Sequence, residues 1–240
     1  MTLKKKKSSD RRIESFIKLM KKYKIEKELP FILIEGVEED LKNVNIKNLN
    51  ELIEYSFKVA GTVGFMFCRI IGVREKKQIF RGLQLGIAMQ FTNIARDVEE
   101  DLERKRIYIP KSMRCYKKNN HKFILKNENI KKKFSKDLKS FLNKADEIYF
   151  NAWRGIYKLP LKFKLPVAIA AELYQQIGKK IKKKEYKVWG QRVYLSKIEK
   201  ILFSLKAIRK TIFFIDSKPK NDIDDQIKSI LKNLNFNFYE

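Results

Sequence analysis

The chain has 240 residues, and its 55 lysines and arginines outnumber its 28 aspartates and glutamates to give a formal charge of +27. Nine glycines and five prolines are too few for an all-β protein full of tight turns. A content of 35% charged and 44% hydrophobic residues argues against disorder and is typical of amphipathic helices. Composition therefore predicts an all-α protein, organised as one sizeable domain or two small ones.

Cysteine and histidine are scarce, which excludes several classes of site. Cys68, Cys115 and the lone His121 cannot form a disulfide framework or a zinc centre, so any metal must be held by carboxylates. No apolar stretch approaches the roughly 20 residues that span a bilayer, and no apolar signal core follows the basic segment at residues 1–10. We therefore expect a cytoplasmic protein, with peripheral membrane contact as an addition.

The positive charge raises the question of a polyanionic partner. Lysine clusters at residues 4–7, 131–133 and 179–184 lie among lysines scattered through every segment, and the last two clusters contain no aromatic residue for base stacking. We therefore do not expect nucleic acid as a partner. A solvated lysine surface is the simplest interpretation, and an anionic lipid surface is the next.

Apolar residues at three-four spacing predict helices over residues 11–24, 31–41, 48–72 and 78–105. Residues 106–129 are polar and have no continuous helical periodicity, which predicts a loop. Helices are predicted again at 131–158, 166–184 and 196–214, followed by a polar tail at 217–240. Since no repeat or domain boundary interrupts the chain, residues 1–240 are treated as a single domain.

The helix predicted at 78–105 is apolar around most of its circumference, which places it inside a helical bundle. One polar stripe nevertheless follows it, formed by Gly86, Gln90, Asn93, Asp97 and Asp101 at spacings of three or four residues. Dry, unpaired carboxylates would cost several kcal/mol each, so the stripe must face cations or a water-filled cavity.

Asp97 and Asp101, one helical turn apart, have the spacing needed to share a hard divalent cation, with Asn93 adding a neutral oxygen. Magnesium typically binds one or two carboxylates together with substrate phosphates. Arg96 lies beside these acids and could hold a diphosphate or pair with Glu99. Alternatively, the two aspartates form only ion pairs at a helix end.

Several motifs resemble the squalene and phytoene synthase family. GIAMQFTNIARDVEED at residues 86–101, followed by RIYIP at 106–110, resembles the second aspartate-rich signature of that family. LIEGVEEDL at 33–41 and YSFKVAGTVG at 55–64 match further segments in the expected order, as do Leu159-Pro160, residues 170–174, 189–193 and 196–197. The TNIARD sequence and the Trp-x-x-Arg-Val segment are more similar to bacterial phytoene synthases than to squalene synthases.

This resemblance implies an all-helical isoprenoid synthase fold and head-to-head condensation of two geranylgeranyl diphosphates through a cyclopropyl diphosphate intermediate, in carotenoid biosynthesis. It also implies magnesium, or manganese in its place. Carried over by position, Asn93, Asp97 and Asp101 would be metal ligands, and Tyr55 and Tyr174 would face the reacting centre. The remaining implied substrate-binding residues are Gln90, Arg96, Tyr108, Arg192 and Asp40 at the polar end, and Val59, Ala60, Gly64, Gly86 and Met89 around the hydrocarbon tails.

Simpler roles are open for the same residues. Tyr55 and Tyr174 could be core tyrosines with bonded hydroxyls, and Arg192 could be a surface residue. Gly61 and Gly64 could simply allow another backbone to come close.

The family pattern is incomplete, since no segment here matches its first aspartate-rich motif. An incomplete gene model, a partner chain that supplies the motif, and a degenerate protein are the competing explanations, and we expect the chain alone to be inactive or nearly so. Alternative functions are a squalene or dehydrosqualene synthase-like enzyme using farnesyl diphosphate, and a noncatalytic basic binding protein.

Overall fold

The computed structural model describes residues 10–114, 121–213, 221–234 and 236. In these residues the only strand-like pairing is an isolated parallel bridge between Asn45 and Ile107, so the prediction of an all-α protein is confirmed. No helix in this part of the chain has the length and apolar character needed to cross a membrane. The helices are α1 (Arg11–Tyr23), α2 (Glu28–Glu39), α3 (Leu49–Ser56), α4 (Thr62–Ile70), α5 (Lys76–Arg96), α6 (Val98–Glu103), α7 (His121–Lys126), α8 (Glu128–Ile156), α9 (Leu161–Lys183), α10 (Lys197–Ile212) and α11 (Asn221–Asn233).

Helix α5 is the centre of the bundle, as its nearly continuous apolar sequence predicts. It packs against α4, α8 and α9, and Leu83, Ile87 and Phe91 are fully buried on it. The rings of Phe91 and Phe141 on α8 stack with their centroids 5.0 Å apart. Because apolar surface covers α5 on several sides, its polar stripe is held inside the protein.

Helix α5 touches the backbone of α4 and that of residues 57–61, which precede α4. A Cβ atom at Gly64 would lie 2.3 Å from the carbonyl oxygen of Gly82, and one at Gly86 would lie 2.3 Å from that of Ala60. Such distances leave no room for any side chain. The small residues therefore serve this close helix contact.

The helix predicted at 48–72 contains a change of helix type. Residues Phe57–Gly61 form a π-helical segment between α3 and α4. Within it, Lys58 has a side chain only 7% exposed, and its Nζ pairs with Glu35 at 2.8 Å, Glu39 at 2.7 Å and Glu54 at 3.1 Å. These carboxylates offset the cost of burying the ammonium group and fasten α2 to the π-helical segment.

The helix predicted at 78–105 is interrupted at Asp97. This residue has φ −104° and ψ 18°, outside helical values, so α5 ends at Arg96 and α6 begins at Val98. Two backbone hydrogen bonds of 2.9 Å, from Asp97 N to Asn93 O and from Asp101 N to Asp97 O, nevertheless continue across the break. Asp97 and Asp101 therefore remain one helical turn apart.

The prediction of a loop over 106–129 is wrong in part. Ile107 and Ile109 are buried, and the Ile107 backbone bonds with those of Val44 and Ile46. A 3-10 turn at Lys111–Met113 and helix α7 follow, while residues 115–120 lie outside the described residues. The tertiary contact with residues 44–46 orders a segment whose own sequence has no helical period.

The predicted polar tail contains helix α11, so a plain polar tail is wrong for residues 221–233. Ile223, Ile227 and Leu231 recur every four residues and are buried in the bundle, which explains why this polar-looking segment folds. Residues 214–220 and 237–240 of the tail region lie outside the described residues, as do residues 1–9 of the basic segment.

Candidate functional site

A cavity of about 540 Å³ lies along α5, between α4 on one side and α8 and α9 on the other. Its wall is mostly apolar. On its open side, Val63 and Phe67 of α4 remain 47% and 42% exposed. Eight of the residues singled out from the sequence line this cavity: Val59, Ala60, Gly64, Gly86, Met89, Gln90, Asn93 and Tyr174.

The polar end of the cavity begins at Asn93. The Asn93 amide nitrogen donates to Gln90 Oε1 at 3.3 Å, whereas its buried Oδ1 has no hydrogen-bond partner among the described residues. A buried carbonyl oxygen without a donor is costly and indicates a missing ligand.

Asp97 lies one turn further, with its side chain 16% exposed, and both its oxygens are held by arginines. Arg96 Nε and Nη2 donate to it at 2.8 and 2.7 Å, and Arg192 Nε and Nη2 approach it at 2.8 and 3.0 Å. Arg192, 55% exposed, thus comes from a distant segment to the aspartate beside the cavity. These three residues line a separate hollow of about 130 Å³.

Asp101 differs from Asp97, because no described side chain donates a hydrogen bond to its carboxylate. Burial first, and then the nearby negative charge of Asp97, raise the pKa of Asp101 to about 7, against the opposing effect of Arg106. A cation close to this carboxylate would favour its charged form.

Asp40, Tyr55 and Tyr108 form a cluster next to Asp101. Asp40 Oδ1 accepts from the Tyr108 hydroxyl at 2.6 Å and from the Tyr55 hydroxyl at 2.9 Å. Arg106 Nη2 also donates to the Asp40 carbonyl oxygen at 2.8 Å. Burial is the main reason why the pKa values of both tyrosines lie above the usual range. Tyr55 and Tyr108 therefore lie in this cluster rather than in the cavity wall.

The sequence interpretation missed the far wall of the cavity. Ala152, Gly155 and Ile156 on α8, with Val167 and Ala170 on α9, complete the lining. Their small or apolar character at helical spacing was a signal for a buried face, but did not show what that face covers.

The residues at the polar end fit a divalent cation. Asn93 Oδ1 is an orphaned oxygen, and Asp101 is a carboxylate without a donor, which are the oxygen ligands that magnesium prefers. In the described part of the chain no group of three histidine, cysteine, aspartate or glutamate side chains forms a metal cluster, so the set is two carboxylates and one amide. These three side chains supply fewer oxygen ligands than a divalent cation takes.

Asp101→Asn is expected to stabilise the metal-free protein at pH 8. The folded-state pKa of about 7 exceeds the ordinary 3.8, so the folded carboxyl holds a proton that the unfolded chain releases, and wild-type stability falls as pH rises from about 4 to 7. Asparagine removes this loss. We expect a gain of about 1–2 kcal/mol in the free energy of unfolding at pH 8, because partial exposure of the side chain to solvent weakens the effect. Urea unfolding with chelator measures it, and a similar gain at pH 4 would contradict this explanation.

Comparison with known proteins identifies the family of the chain. Residues 2–199 match the model of the squalene/phytoene synthase family. The chain is 32% identical over 174 residues to a 15-cis-phytoene synthase of Pantoea ananas and 30% identical over 187 residues to a phytoene synthase of Rhodobacter capsulatus. These alignments cover 72% and 78% of the chain but 56% and 55% of the relatives, so the chain spans about half of their length.

A crystal structure of a dehydrosqualene synthase in complex with ligand matches with a TM-score of 0.70 and 23% sequence identity. The match covers 79% of this chain and 67% of that structure. This likeness confirms the isoprenoid synthase-type helical fold expected from the sequence.

Proposed function

Because the chain belongs to the squalene/phytoene synthase family, we propose that it provides one half of a prenyltransferase site that condenses two geranylgeranyl diphosphates head-to-head. The observation that carries the proposal is the apolar cavity that reaches the orphaned Asn93 oxygen on α5, one turn before Asp97 and its two arginines. An isoprenoid tail would fit the apolar wall, and a diphosphate would fit beyond Asn93, where Arg96 and Arg192 lie. Cytoplasmic carotenoid biosynthesis is the setting we propose.

In this mechanism Asn93, Asp97 and Asp101 would hold magnesium, or manganese. The bound ion would neutralise negative charge on the departing diphosphate. Arg96 and Arg192 both donate to Asp97 and would bind the oxygens of a diphosphate placed beside it.

The other proposed roles follow from position. Gln90 and Tyr174 line the cavity beside Asn93, where the Tyr174 ring would face positive charge developing on the allylic carbon. Asp40 fixes the Tyr55 and Tyr108 hydroxyls and keeps the two rings stacked, with centroids 4.9 Å apart, beside the acids. The apolar wall formed by Val59 and Met89 would exclude water from the cation.

A second polypeptide is proposed to supply the other half of the site, including the first aspartate-rich motif. The partly exposed Val63 and Phe67 at the open side of the cavity favour such a partner, since large apolar side chains at a cavity mouth gain from being covered. We expect the chain alone to make little or no phytoene with geranylgeranyl diphosphate and magnesium. Detection of phytoene at a rate typical of enzymes would contradict the need for a partner.

Binding tests the proposed function without requiring turnover. We expect geranylgeranyl diphosphate to bind in a magnesium-dependent manner, and farnesyl diphosphate to bind similarly if the enzyme is instead squalene or dehydrosqualene synthase-like. A noncatalytic polyanion binder would lose affinity steeply with salt and respond little to magnesium. That second pattern would overturn the proposal.

Contact with an anionic membrane is proposed for α10. This helix packs on α9 and leaves Ile198, Ile201, Leu202 and Leu205 exposed by 57 to 71% on one face, in a strongly basic chain. Apolar residues on one side of a basic helix suit the headgroup boundary of an anionic bilayer.

The double variant Leu202→Glu/Leu205→Glu is expected to lower sedimentation with anionic vesicles about tenfold, because it removes apolar area and adds negative charge. The matched control Asn129→Glu/Ser140→Glu adds the same charge on exposed positions of α8. An equal loss in both variants would show that only overall charge matters.

A further inference from the structure

A buried ion pair lies at the end of the cavity opposite to Asn93. Arg81 on α5 and Asp224 on α11 have side chains 6% and 7% exposed, and Arg81 Nη1 lies 2.8 and 2.7 Å from the two Asp224 oxygens. The side-chain amides of Gln84 and Asn151 donate to Asp224 Oδ1 at 2.6 and 2.7 Å. Three side chains from two helices thus hold this carboxylate, and the carboxylate fixes the guanidinium.

Arg81 also borders two hollow spaces. With Gln78 and Gly155 it lines both the main cavity and a second hollow of about 190 Å³, whose other walls include the basic residues Lys77 and Arg154. A Cβ atom at Gly155 would lie 2.4 Å from Arg81 Cβ, so α8 presses directly on the stem of the arginine. We call the Arg81 side chain, which borders both hollows and is held at its stem by α8 and at its guanidinium by Asp224, the partition.

The position of Arg81 along α5 corresponds to a molecular length. Asn93 and Arg81 are twelve residues apart on this helix, about 18 Å at 1.5 Å per residue. An extended isoprene unit adds four chain carbons, about 5 Å at ordinary bond lengths. A tail of three to four units would span the distance between the two residues, and a fifth unit would reach Arg81.

We propose that Arg81, positioned by Asp224, sets the upper limit on the length of the isoprenoid tail that the cavity accepts. This inference rests on the proposed function, because it requires that a prenyl tail occupies the cavity. Arg81 would contact the tail end, and Asp224 is a positioning residue that acts through it. Helix α11, which no chemical motif marked, would thereby take part in substrate selection.

The test compares prenyl alcohols of three, four and five isoprene units, which probe the tail without the diphosphate. Affinity is measured by displacement of a fluorescent apolar probe from the full chain. Arg81→Ala/Asp224→Asn removes the partition without leaving a buried charge unpaired. Arg81→Met/Asp224→Asn is the matched control, because methionine keeps an unbranched side chain in the partition.

In the wild type and the methionine control, the five-unit alcohol is expected to bind about tenfold more weakly than the four-unit alcohol, and the alanine variant is expected to lose this difference. Asp224→Asn alone should shift the preference in the same direction by a smaller factor. Asp225→Asn, on the exposed neighbouring acid, should leave it unchanged.

Two failures are distinguishable. Binding of four-unit and five-unit alcohols with the same ratio in wild type and the alanine variant would overturn the role of Arg81 and leave the proposed function standing. Loss of the difference in the methionine control would also overturn it, since the partition would then not depend on side-chain bulk. If no prenyl alcohol displaces the probe, both the proposed function and this inference fail.

Discussion

Asp97→Ala is expected to abolish the magnesium dependence of prenyl diphosphate binding and, at the same time, to raise the affinity measured without metal. Asp97 holds Arg96 and Arg192 in charge-assisted hydrogen bonds of 2.7 to 3.0 Å. Removing the carboxylate frees both guanidinium groups for the diphosphate, while the metal loses a ligand. Since each such bond contributes about 1.5–3 kcal/mol, we expect a metal-free gain of about tenfold.

With saturating magnesium, the same variant should bind about a hundredfold more weakly than the wild type, because the site keeps only one carboxylate. Calorimetric titration of geranylgeranyl diphosphate with and without magnesium gives both values. Glu103→Ala is the matched control, since Glu103 is an exposed acid lining the same small hollow. If Asp97→Ala kept the wild-type response to magnesium, Asp97 would not be a metal ligand.

Gly86→Ala is expected to have the largest effect on folding. The added methyl group would lie 2.3 Å from the carbonyl oxygen of Ala60 and 3.1 Å from Gly61 Cα, both in backbone that cannot turn away as a side chain would. The π-helical segment and α5 would have to separate along the cavity wall. We expect a loss of about 3 kcal/mol or more in the free energy of unfolding, measured by urea denaturation.

Gly178→Ala provides the matched control. Gly178 also lies inside a long helix, α9, but a Cβ atom there would meet only Leu142 Cδ2, at 3.4 Å. Alanine favours the helix by about 1 kcal/mol over glycine, so this substitution should be neutral or stabilising. Equal losses for the two variants would mean that the effect belongs to helical glycines in general and not to the contact between α5 and the π-helical segment.

Periodicity was sufficient to predict the helical core and the polar stripe. The spacing of Gln90, Asn93, Asp97 and Asp101 already placed these side chains on one face of a buried helix, and the structure keeps that spacing. The break at Asp97 was not predictable, because a long-range contact accompanies it: Arg192 reaches Asp97 from 95 positions away.

Helix α11 had a usable signal, since Ile223, Ile227 and Ile230 recur at helical spacing. The acids and lysines between them made the segment look like a polar tail. The ion pair between Arg81 and Asp224 had no such signal. The two residues are 143 positions apart, and each alone is typical of a charged residue on the surface. Local patterns specify which face of a helix is buried, but pairings between distant helices arise only from the folded packing.

The π-helical segment at Phe57–Gly61 makes the register of the cavity wall sensitive to chain length. The amide of Thr62 bonds to the Phe57 carbonyl five residues back, so this turn accommodates one residue more than an α-helical turn. Deleting a single residue here would let the turn relax to α-helix and rotate α4 by about 100° against α3. Gly64 would then lose its contact with Gly82, and Val63 and Phe67 would turn away from the cavity. A deletion in a surface loop would keep the glycine contact and the cavity lining in place.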